Sequence, residues 1–158
     1  MYTVLIVDVV LSYQRYWPAD PPDSHWSSLL TYQLRRDGFV YVSASDAAAD
    51  AASTASFTTK PLVWGKGELK INADCSSGGG AIARLLISVL DSNDGKEVVG
   101  FGKADAIPVM HSNSTNSTAT WSSGAAIASL AGKSIALHVQ LDGTAKLYAL
   151  RGLFTWTE

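Results

Sequence analysis

The sequence has few of the groups that would tie it to redox chemistry, metal binding or nucleic acid. Its 158 residues include one cysteine and three histidines, and 12 basic against 14 acidic side chains give a net charge of −2. Cys75 alone closes no intrachain disulfide and is expected to be a small core residue. His25, His111 and His138 lie too far apart for metal-ligand spacing. The charge offers no basic field, so nucleic acid is not an expected partner. We expect no cofactor, although a structural calcium ion is not excluded.

Long apolar segments are also missing. The apolar run at residues 4–11 contains Asp8 and is shorter than the roughly 18 residues that a membrane span needs. No Lys or Arg precedes it, so it does not match a signal peptide either. We therefore expect a strand here and no membrane span, and any export signal would lie outside this chain.

No motif for a chemical reaction is present. Asp20 and Asp23 are close enough in sequence to suggest a glycosidase carboxylate pair, which must be held about 5–10 Å apart across a cleft. They fall in a proline-rich loop that is a poor frame for such geometry. Serine is so frequent that a Ser-His-Asp arrangement carries no weight. We expect the protein not to be an enzyme.

What the sequence has in quantity is period-two alternation of apolar and polar residues, which is typical of strands with one buried face. At residues 134–141 the odd-numbered positions are apolar and His138 falls on the outer face. At residues 68–73 the same pattern directs Asn72 to solvent. Further predicted strands are residues 2–11, 29–34, 39–43, 56–61, 81–90, 96–101 and 146–156. Glycine-containing turns at residues 37–38, 65–67, 93–95 and 142–143 separate them.

About nine or ten strands predict an all-β fold, a two-sheet antiparallel β-sandwich or jelly roll. Residues 17–25, with three prolines, and the polar residues 112–120 are predicted loops. Residues 44–55 are expected to be a loop with at most a helical turn, and residues 125–130 one turn before Gly132. We assign residues 1–28 to an N-terminal strand and proline-rich loop, packed on or swapped with the sandwich, and residues 29–158 to the sandwich.

A series of short motifs occurs in the type and order of a known protein family. They are Leu34-Arg35-Arg36-Asp37-Gly38-Phe39, Phe57-Thr58-Thr59-Lys60-Pro61-Leu62, Gly67-Glu68-Leu69-Lys70-Ile71-Asn72, Val89-Leu90-Asp91 with Asp94-Gly95-Lys96, Gly100-Phe101, Leu130-Ala131-Gly132-Lys133 and Ala145-Lys146-Leu147-Tyr148-Ala149-Leu150. From about residue 29 to the C-terminus the chain resembles the C-terminal β-sandwich of glycoside hydrolase proteins of the β-fructosidase type.

In that family a five-bladed propeller precedes a lectin-like sandwich. The resemblance implies a non-catalytic domain, because the family's catalytic carboxylates belong to the propeller and 158 residues leave no room for five blades. Residues 2–17 resemble the last propeller strand of such a protein, or could instead pair as an extra strand on a sheet edge.

Five tryptophans are the best lead to a ligand, because sugar rings pack their C–H faces on aromatic planes. Trp64 and Trp121 are candidates for such a platform, with packing inside the sandwich as the favoured alternative. Trp17 and Trp26 flank the proline loop and would form either a ligand or partner surface or the lid of a hydrophobic edge. Trp156 is expected in the core.

Two charged turns have a structural and a ligand-binding interpretation. Arg36, Asp37 and Gly38 are best explained as a hairpin turn, although Arg35 and Arg36 could hold a carboxylate through bidentate contacts. Residues 91–95 superficially resemble a calcium loop, but Gly95 stands where an EF-hand requires an oxygen ligand. A hairpin turn is therefore expected there as well.

Asn113-Ser114-Thr115 and Asn116-Ser117-Thr118 are consecutive N-glycosylation sequons. Asn113 and Asn116 are thus candidate glycan acceptors if the protein passes through a secretory lumen, although such sequons are also common by chance in loops rich in Ser and Thr. The localisation stays open, with a secreted or extracellular protein as the hypothesis.

The first functional hypothesis is a non-catalytic, carbohydrate-associated β-sandwich that binds glycan through exposed aromatic residues. The alternative is a structural or assembly subunit that docks onto a partner chain through its N-terminal strand and sheet edges. The oligomeric state stays open in both.

Overall fold

The structure is a computed structural model that describes residues 10–14, 27–31, 35–44, 53–76 and 82–157, the first two ranges as strand backbone. Contacts divide the chain into two compact units, Met1–Phe39 and Val40–Glu158. The sequence analysis placed its boundary earlier, after residue 28.

The first unit contains a hairpin of two antiparallel strands, β1 at Val10–Gln14 and β2 at Ser27–Thr31. Val10 lies opposite Thr31, and Gln14 lies opposite Ser27. Strand β1 begins where the predicted strand at residues 2–11 ends, and residues 2–9 lie outside the described part of the chain. Residues 29–31, which the sequence analysis placed in the sandwich, pair with β1 instead.

The second unit is a sandwich of two antiparallel sheets, which confirms the predicted fold class. Its strands are β3 (Val42–Ser43), β4 (Thr54–Thr58), β5 (Leu62–Trp64), β6 (Lys70–Asp74), β7 (Ala83–Asp91), β8 (Val109–Met110), β9 (Asn113–Thr118), β10 (Ser134–Gly143), β11 (Lys146–Arg151) and β12 (Phe154–Trp156). The large sheet has the order β12-β5-β10-β7-β8, with β4 also on β10, and the small sheet has the order β3-β11-β6-β9.

Strand β10 shows why the sequence folds in this way. Its side chains alternate, so that Ile135, Leu137, Val139 and Leu141 are at most 1% exposed, as predicted. Strand β7 of the same sheet and strands β6 and β11 of the other sheet contribute their own apolar residues to the same core. The turn after β10 carries the chain directly into β11 of the other sheet, so residues 142–143 do not form the hairpin turn that the sequence analysis expected.

Several predicted elements are wrong in type or extent. Residues 96–101 form turns with one isolated bridge, Leu90 to Glu97, instead of a strand. The predicted strand at residues 146–156 is two strands, β11 and β12, which belong to different sheets. The predicted loop at residues 112–120 contains strand β9. Within the predicted strand at residues 39–43 only β3 is a strand. The predicted helical turn at residues 125–130 is confirmed as a 3₁₀ helix at Ile127–Leu130.

The turn at residues 35–38 is confirmed, but it does not join a hairpin. Gly38 N–H donates to the carbonyl of Arg35, and Asp37 takes the left-handed conformation with φ 52°. The strands on either side pair elsewhere, β2 with β1 and β3 with β11. A Cβ atom on Gly38 would overlap Arg35, so the tight approach explains the glycine.

Candidate functional site

The tryptophans are distributed differently from the sequence expectation. Trp64 and Trp121 are 0% and 4% exposed, so neither presents a ring face and both are withdrawn as aromatic platforms. Trp156, which was expected in the core, is 58% exposed because it lies on β12, at the edge of the large sheet. Trp17 and Trp26 lie outside the described residues.

Three aromatic rings lead from the core to this edge. Phe154 stacks on Trp64 with ring centroids 6.1 Å apart, and Trp156 meets Phe154 edge to face at 5.2 Å. Gly152 packs against the other part of the Trp64 ring, where a Cβ atom would overlap it. Trp64 is therefore enclosed, and Trp156 is the exposed end of the row.

A cleft of about 240 Å³ opens beside the small sheet. Three separate segments form it: the β5–β6 loop, the end of β9 with the residues after it, and the loop that precedes the 3₁₀ helix. Its walls are mostly small residues, and its polar side chains are few. The lining residues are Gly67, Glu68, Thr118, Ala119, Thr120, Trp121, Gly124, Ala125, Ala126, Ile127 and Ala128.

The polar side of the cleft is ordered by a short chain of contacts. Lys70 Nζ lies 2.7 Å from a carboxylate oxygen of Glu68 and donates to Thr118 Oγ1, also at 2.7 Å. The Glu68 side chain is 63% exposed. Its carboxylate therefore remains accessible to a ligand while Lys70 holds its position. Thr120 adds an exposed hydroxyl residue to the same wall.

Trp121 forms part of the wall although its side chain is buried. Its indole N–H donates to the carbonyl of Ile87 at 3.1 Å, and Phe101 packs edge to face against it at 5.0 Å. These contacts fix the ring, so a ligand in the cleft would meet a rigid wall. Trp121 thus lines a candidate site, but as a buried wall and not as the exposed platform that the sequence suggested.

A second polar cluster lies on the outer face of the large sheet. Asp142 on β10 lies directly opposite Arg84 on β7 and Thr54 on β4. Arg84 Nε donates to one carboxylate oxygen at 2.7 Å, while Thr54 Oγ1 and Gln140 Nε2 donate to the other, each at 2.9 Å. The carboxylate of this buried residue therefore has its lone pairs satisfied within the sheet.

These contacts determine the acidity of Asp142. Burial alone would raise the pKa of its carboxyl group, but hydrogen bonds from Gln140, Arg84 and Thr54, together with the Arg84 charge, lower the pKa below its ordinary value. The group is thus a charged clamp between three strands at neutral pH. Because the partners are already engaged, this cluster is a structural feature and a weaker ligand candidate than the cleft.

The remaining candidates are placed as follows. Cys75 is buried, and burial, with the nearby Asp74 charge, raises the pKa of its thiol to about 11. His138 is on the outer face, as predicted, with Nδ1 2.9 Å from Thr58 Oγ1. Asn72 is 0% exposed, which corrects the prediction that it faces solvent. Residues 91–95 form the expected turn, closed by hydrogen bonds between Asp91 and the backbone of Lys96 and Gly95.

Asn113 and Asn116 are both exposed and lie on β9, at the edge of the small sheet. Asp20, Asp23 and His25 lie outside the described residues. Among the residues that the structure describes, no three His, Cys, Asp or Glu side chains cluster as metal ligands. The described helical structure also includes no helix long and apolar enough to cross a membrane.

No protein-family model, no curated protein and no solved structure matches this chain. The candidate site is therefore defined by its geometry. Sequence analysis missed Glu68, Thr118 and Thr120, because nothing in the sequence indicates that these positions meet across a cleft. It also missed Arg84 and Asp142, whose only signal was a charged residue at an outward position of each strand.

Proposed function

We propose that the sandwich is a non-catalytic carbohydrate-binding domain that takes one neutral sugar residue into the cleft beside Trp121. The observation that carries the proposal is the cleft itself, with an accessible carboxylate and hydroxyl residues set against walls of glycine and alanine. Small walls allow a ring to approach the backbone, and a carboxylate accepts hydrogen bonds from neighbouring sugar hydroxyls. The cleft does not depend on stacking at exposed aromatic rings, and ligand contacts by Trp17 and Trp26 stay predictions.

The size and charge of the cleft narrow the ligand. Its volume of about 240 Å³ is below the roughly 300–1,000 Å³ of pockets for drug-sized ligands, so it suits one ring of a glycan. Among the described residues, the lining has no Lys, Arg or His, and the neighbouring Lys70 is already paired with Glu68, so no basic side chain of the lining is available to hold a carboxylated or sulfated sugar, which favours neutral sugars. A hexose of about twelve non-hydrogen atoms at roughly 0.3 kcal/mol each gives about 4 kcal/mol, or a Kd of about 1 mM.

The test is a titration of the protein with neutral and acidic monosaccharides and short glycans, followed by tryptophan fluorescence. Trp121 lines the cleft, so we expect a saturable change with a neutral sugar and its loss in Trp121→Phe. Glu68→Gln should weaken binding at least tenfold, because an amide accepts fewer hydrogen bonds and carries no charge.

Asp94→Asn is the matched control for Glu68→Gln. Asp94 is also an exposed carboxylate paired with a lysine two residues later, at 3.2 Å from Lys96, but it does not line the cleft. Equal weakening by both variants, or a response that survives Glu68→Gln unchanged, would refute the site. Silence across the whole panel of sugars would refute carbohydrate binding in the cleft.

A second candidate is a structural subunit that docks onto a partner chain by strand addition. The observation in its favour is the small-sheet edge at β3, where Val40 and Val42 are 75% and 48% exposed. Apolar residues on an open sheet edge are typical of such docking. Val42→Lys should then dissociate any complex that the wild-type chain forms in size-exclusion chromatography, and a wild-type chain that elutes as a monomer without partners would argue against this function.

A further inference from the structure

Strand β9 is the longest of the outermost strands that the structure describes in the sandwich. Strands β3 and β8 have two residues each, β12 has three and β4, which pairs with β10 alone among the described strands, has five, whereas β9 has six. Short edges offer little template for pairing with another chain, but a longer open edge is a liability unless it carries a protecting feature. Among the residues that the structure describes, no strand lies beyond β9, so this edge is a place where another chain could pair.

The usual protecting features are few here. Strand β9 reads Asn-Ser-Thr-Asn-Ser-Thr and contains no lysine, proline or other charge. Cys75 N–H donates to the carbonyl of Ser112, and Ala119 N–H donates to the carbonyl of Leu69, so Ser112 and Ala119 direct their backbone groups toward the sheet. By alternation, Thr118 directs its backbone groups away from β6. A bulge opposite Ile71 and Ala73 is the one irregularity of this pairing.

Both asparagines of the two sequons lie on this edge and are exposed. Their surroundings keep the strand extended: Ser114 Oγ accepts a hydrogen bond from Asn116 N–H at 3.1 Å, and Arg151 donates to the carbonyl of Thr115. Thr115 is also exposed, and Thr118 is tied to Lys70. A large group attached to either asparagine would thus project from the edge without displacing core residues.

We propose that β9 is a modification site, carrying an N-linked glycan on Asn113 or Asn116 that covers the open edge of the small sheet. The donor is a lipid-pyrophosphate-linked oligosaccharide, supplied in a secretory lumen. The side-chain amide nitrogen forms a bond to the anomeric carbon of the first sugar. The bond from that carbon to the phosphate oxygen breaks, the lipid pyrophosphate leaves, and the amide nitrogen gives up one proton. The glycan then blocks strand addition by its bulk and hydration.

The first experiment is secretion of the full chain behind a leader peptide from a eukaryotic host, followed by intact-mass measurement. We expect the wild-type protein to carry glycan mass that peptide-N-glycosidase removes, and Asn113→Gln/Asn116→Gln to carry none. Thr115→Ala eliminates the first sequon and leaves its asparagine in place, so it separates loss of the sequon from loss of the side chain. Secreted, folded wild-type protein with neither asparagine modified would overturn the proposal.

The second experiment tests the role of the glycan by sedimentation velocity over a hundredfold range of concentration. We expect the glycosylated protein to stay monomeric and the Asn113→Gln/Asn116→Gln variant to associate as concentration rises. Adding Thr115→Lys to that variant places a charge on the edge and should restore the monomer. Far-ultraviolet circular dichroism confirms that each variant is folded. A double variant that remains monomeric throughout would show that the edge needs no cover and would overturn that part of the proposal.

Discussion

The two sheets of the sandwich differ in how regularly their strands pair. In the large sheet β10 and β7 pair through nine consecutive residues, from Ile135 opposite Asp91 to Gly143 opposite Ala83, without a register shift. In the small sheet the register shifts twice, between Leu147 and Ala149 of β11 and between Ile71 and Ala73 of β6. Both the cleft and the sequon-bearing edge adjoin the irregular sheet.

The difference in pairing indicates a division of roles between the two sheets. On the large sheet the buried carboxylate of Asp142 is satisfied by side chains of neighbouring strands. At the small sheet the strand ends and the loops beside them enclose a cleft with an accessible carboxylate. Bulges commonly re-aim side chains or end a pairing next to a functional site. We therefore expect stability to depend more on the large sheet and ligand binding on the small one.

The largest effect should come from truncating the centre of the large sheet. Leu137 is 1% exposed, so Leu137→Ala should lower the free energy of unfolding by about 2–5 kcal/mol. Leu150 on the small sheet is half-buried, and Leu150→Ala should cost about 1 kcal/mol. Urea unfolding followed by circular dichroism measures both. Equal losses would contradict the division between the sheets.

The reactivity of the buried Cys75, which follows β6, tests whether the small sheet stays closed over the core. Its pKa of about 11 leaves a small thiolate fraction at pH 8, so labelling by a disulfide reagent should be slower than for an unfolded cysteine by about two orders of magnitude. The rate in denaturant is the control. Fast labelling of the native protein would show that the small sheet opens locally, and the two sheets would then differ in closure as well as in register.

A smaller effect should follow from removing one partner of Asp142. Arg84→Ala leaves the buried carboxylate with fewer donors and should cost about 1–3 kcal/mol at pH 7, toward the lower end because Arg84 is partly exposed. Since the pKa of Asp142 is lowered in the fold, its contribution is present above the ordinary carboxyl pKa and is lost as pH falls through the lowered value.

The pH dependence distinguishes this clamp from other acidic groups. We expect Asp142→Asn to be less stable than the wild-type protein at pH 7 and to lose less stability between pH 5 and 2, as measured by thermal unfolding. Parallel pH profiles of the two proteins would mean that Asp142 is not a charged clamp of the large sheet.

The smallest effect is expected at the edge of the large sheet. Trp156 is 58% exposed, so Trp156→Ser should change the free energy of unfolding by less than about 1 kcal/mol, although Phe154 loses one ring contact. Chemical denaturation is again the measurement. A loss comparable to that of Leu137→Ala would mean that this edge belongs to the core, and that burial is a poor guide to the stability of the large sheet.

How far the sequence predicts the fold depends on the local pattern. Strand β10 was predicted because its alternation is uninterrupted and every apolar position meets the core. The sequence predicts a loop at the position of β9 because Ser, Thr and Asn favour turns. Pairing with β6 overrides that preference. Trp156 was predicted in the core because it ends the last strand, but that strand, β12, is at the edge of the large sheet and the ring is 58% exposed there.

The candidate cleft could not be predicted for a different reason. Its lining comes from residues 67–68, 118–121 and 124–128, and their meeting depends on the order of strands in the small sheet. Local periodicity contains no information on that order. The sequence did point to Trp121, through its residue type, but it could not show that the ring is a buried wall.

The position of β10 in the chain has a consequence for how the protein is made. It is the shared partner of β4, β5 and β7, yet it follows them by a long stretch, and the hydrogen-bonded Thr54 and Asp142 are 88 positions apart in the sequence. A chain emerging from the ribosome thus presents three strands well before the strand that joins them. Folding of the sandwich must wait until β10 has been synthesised, and such non-local pairing is slow. During that interval the emerging strands are the stretch for which a chaperone would matter most.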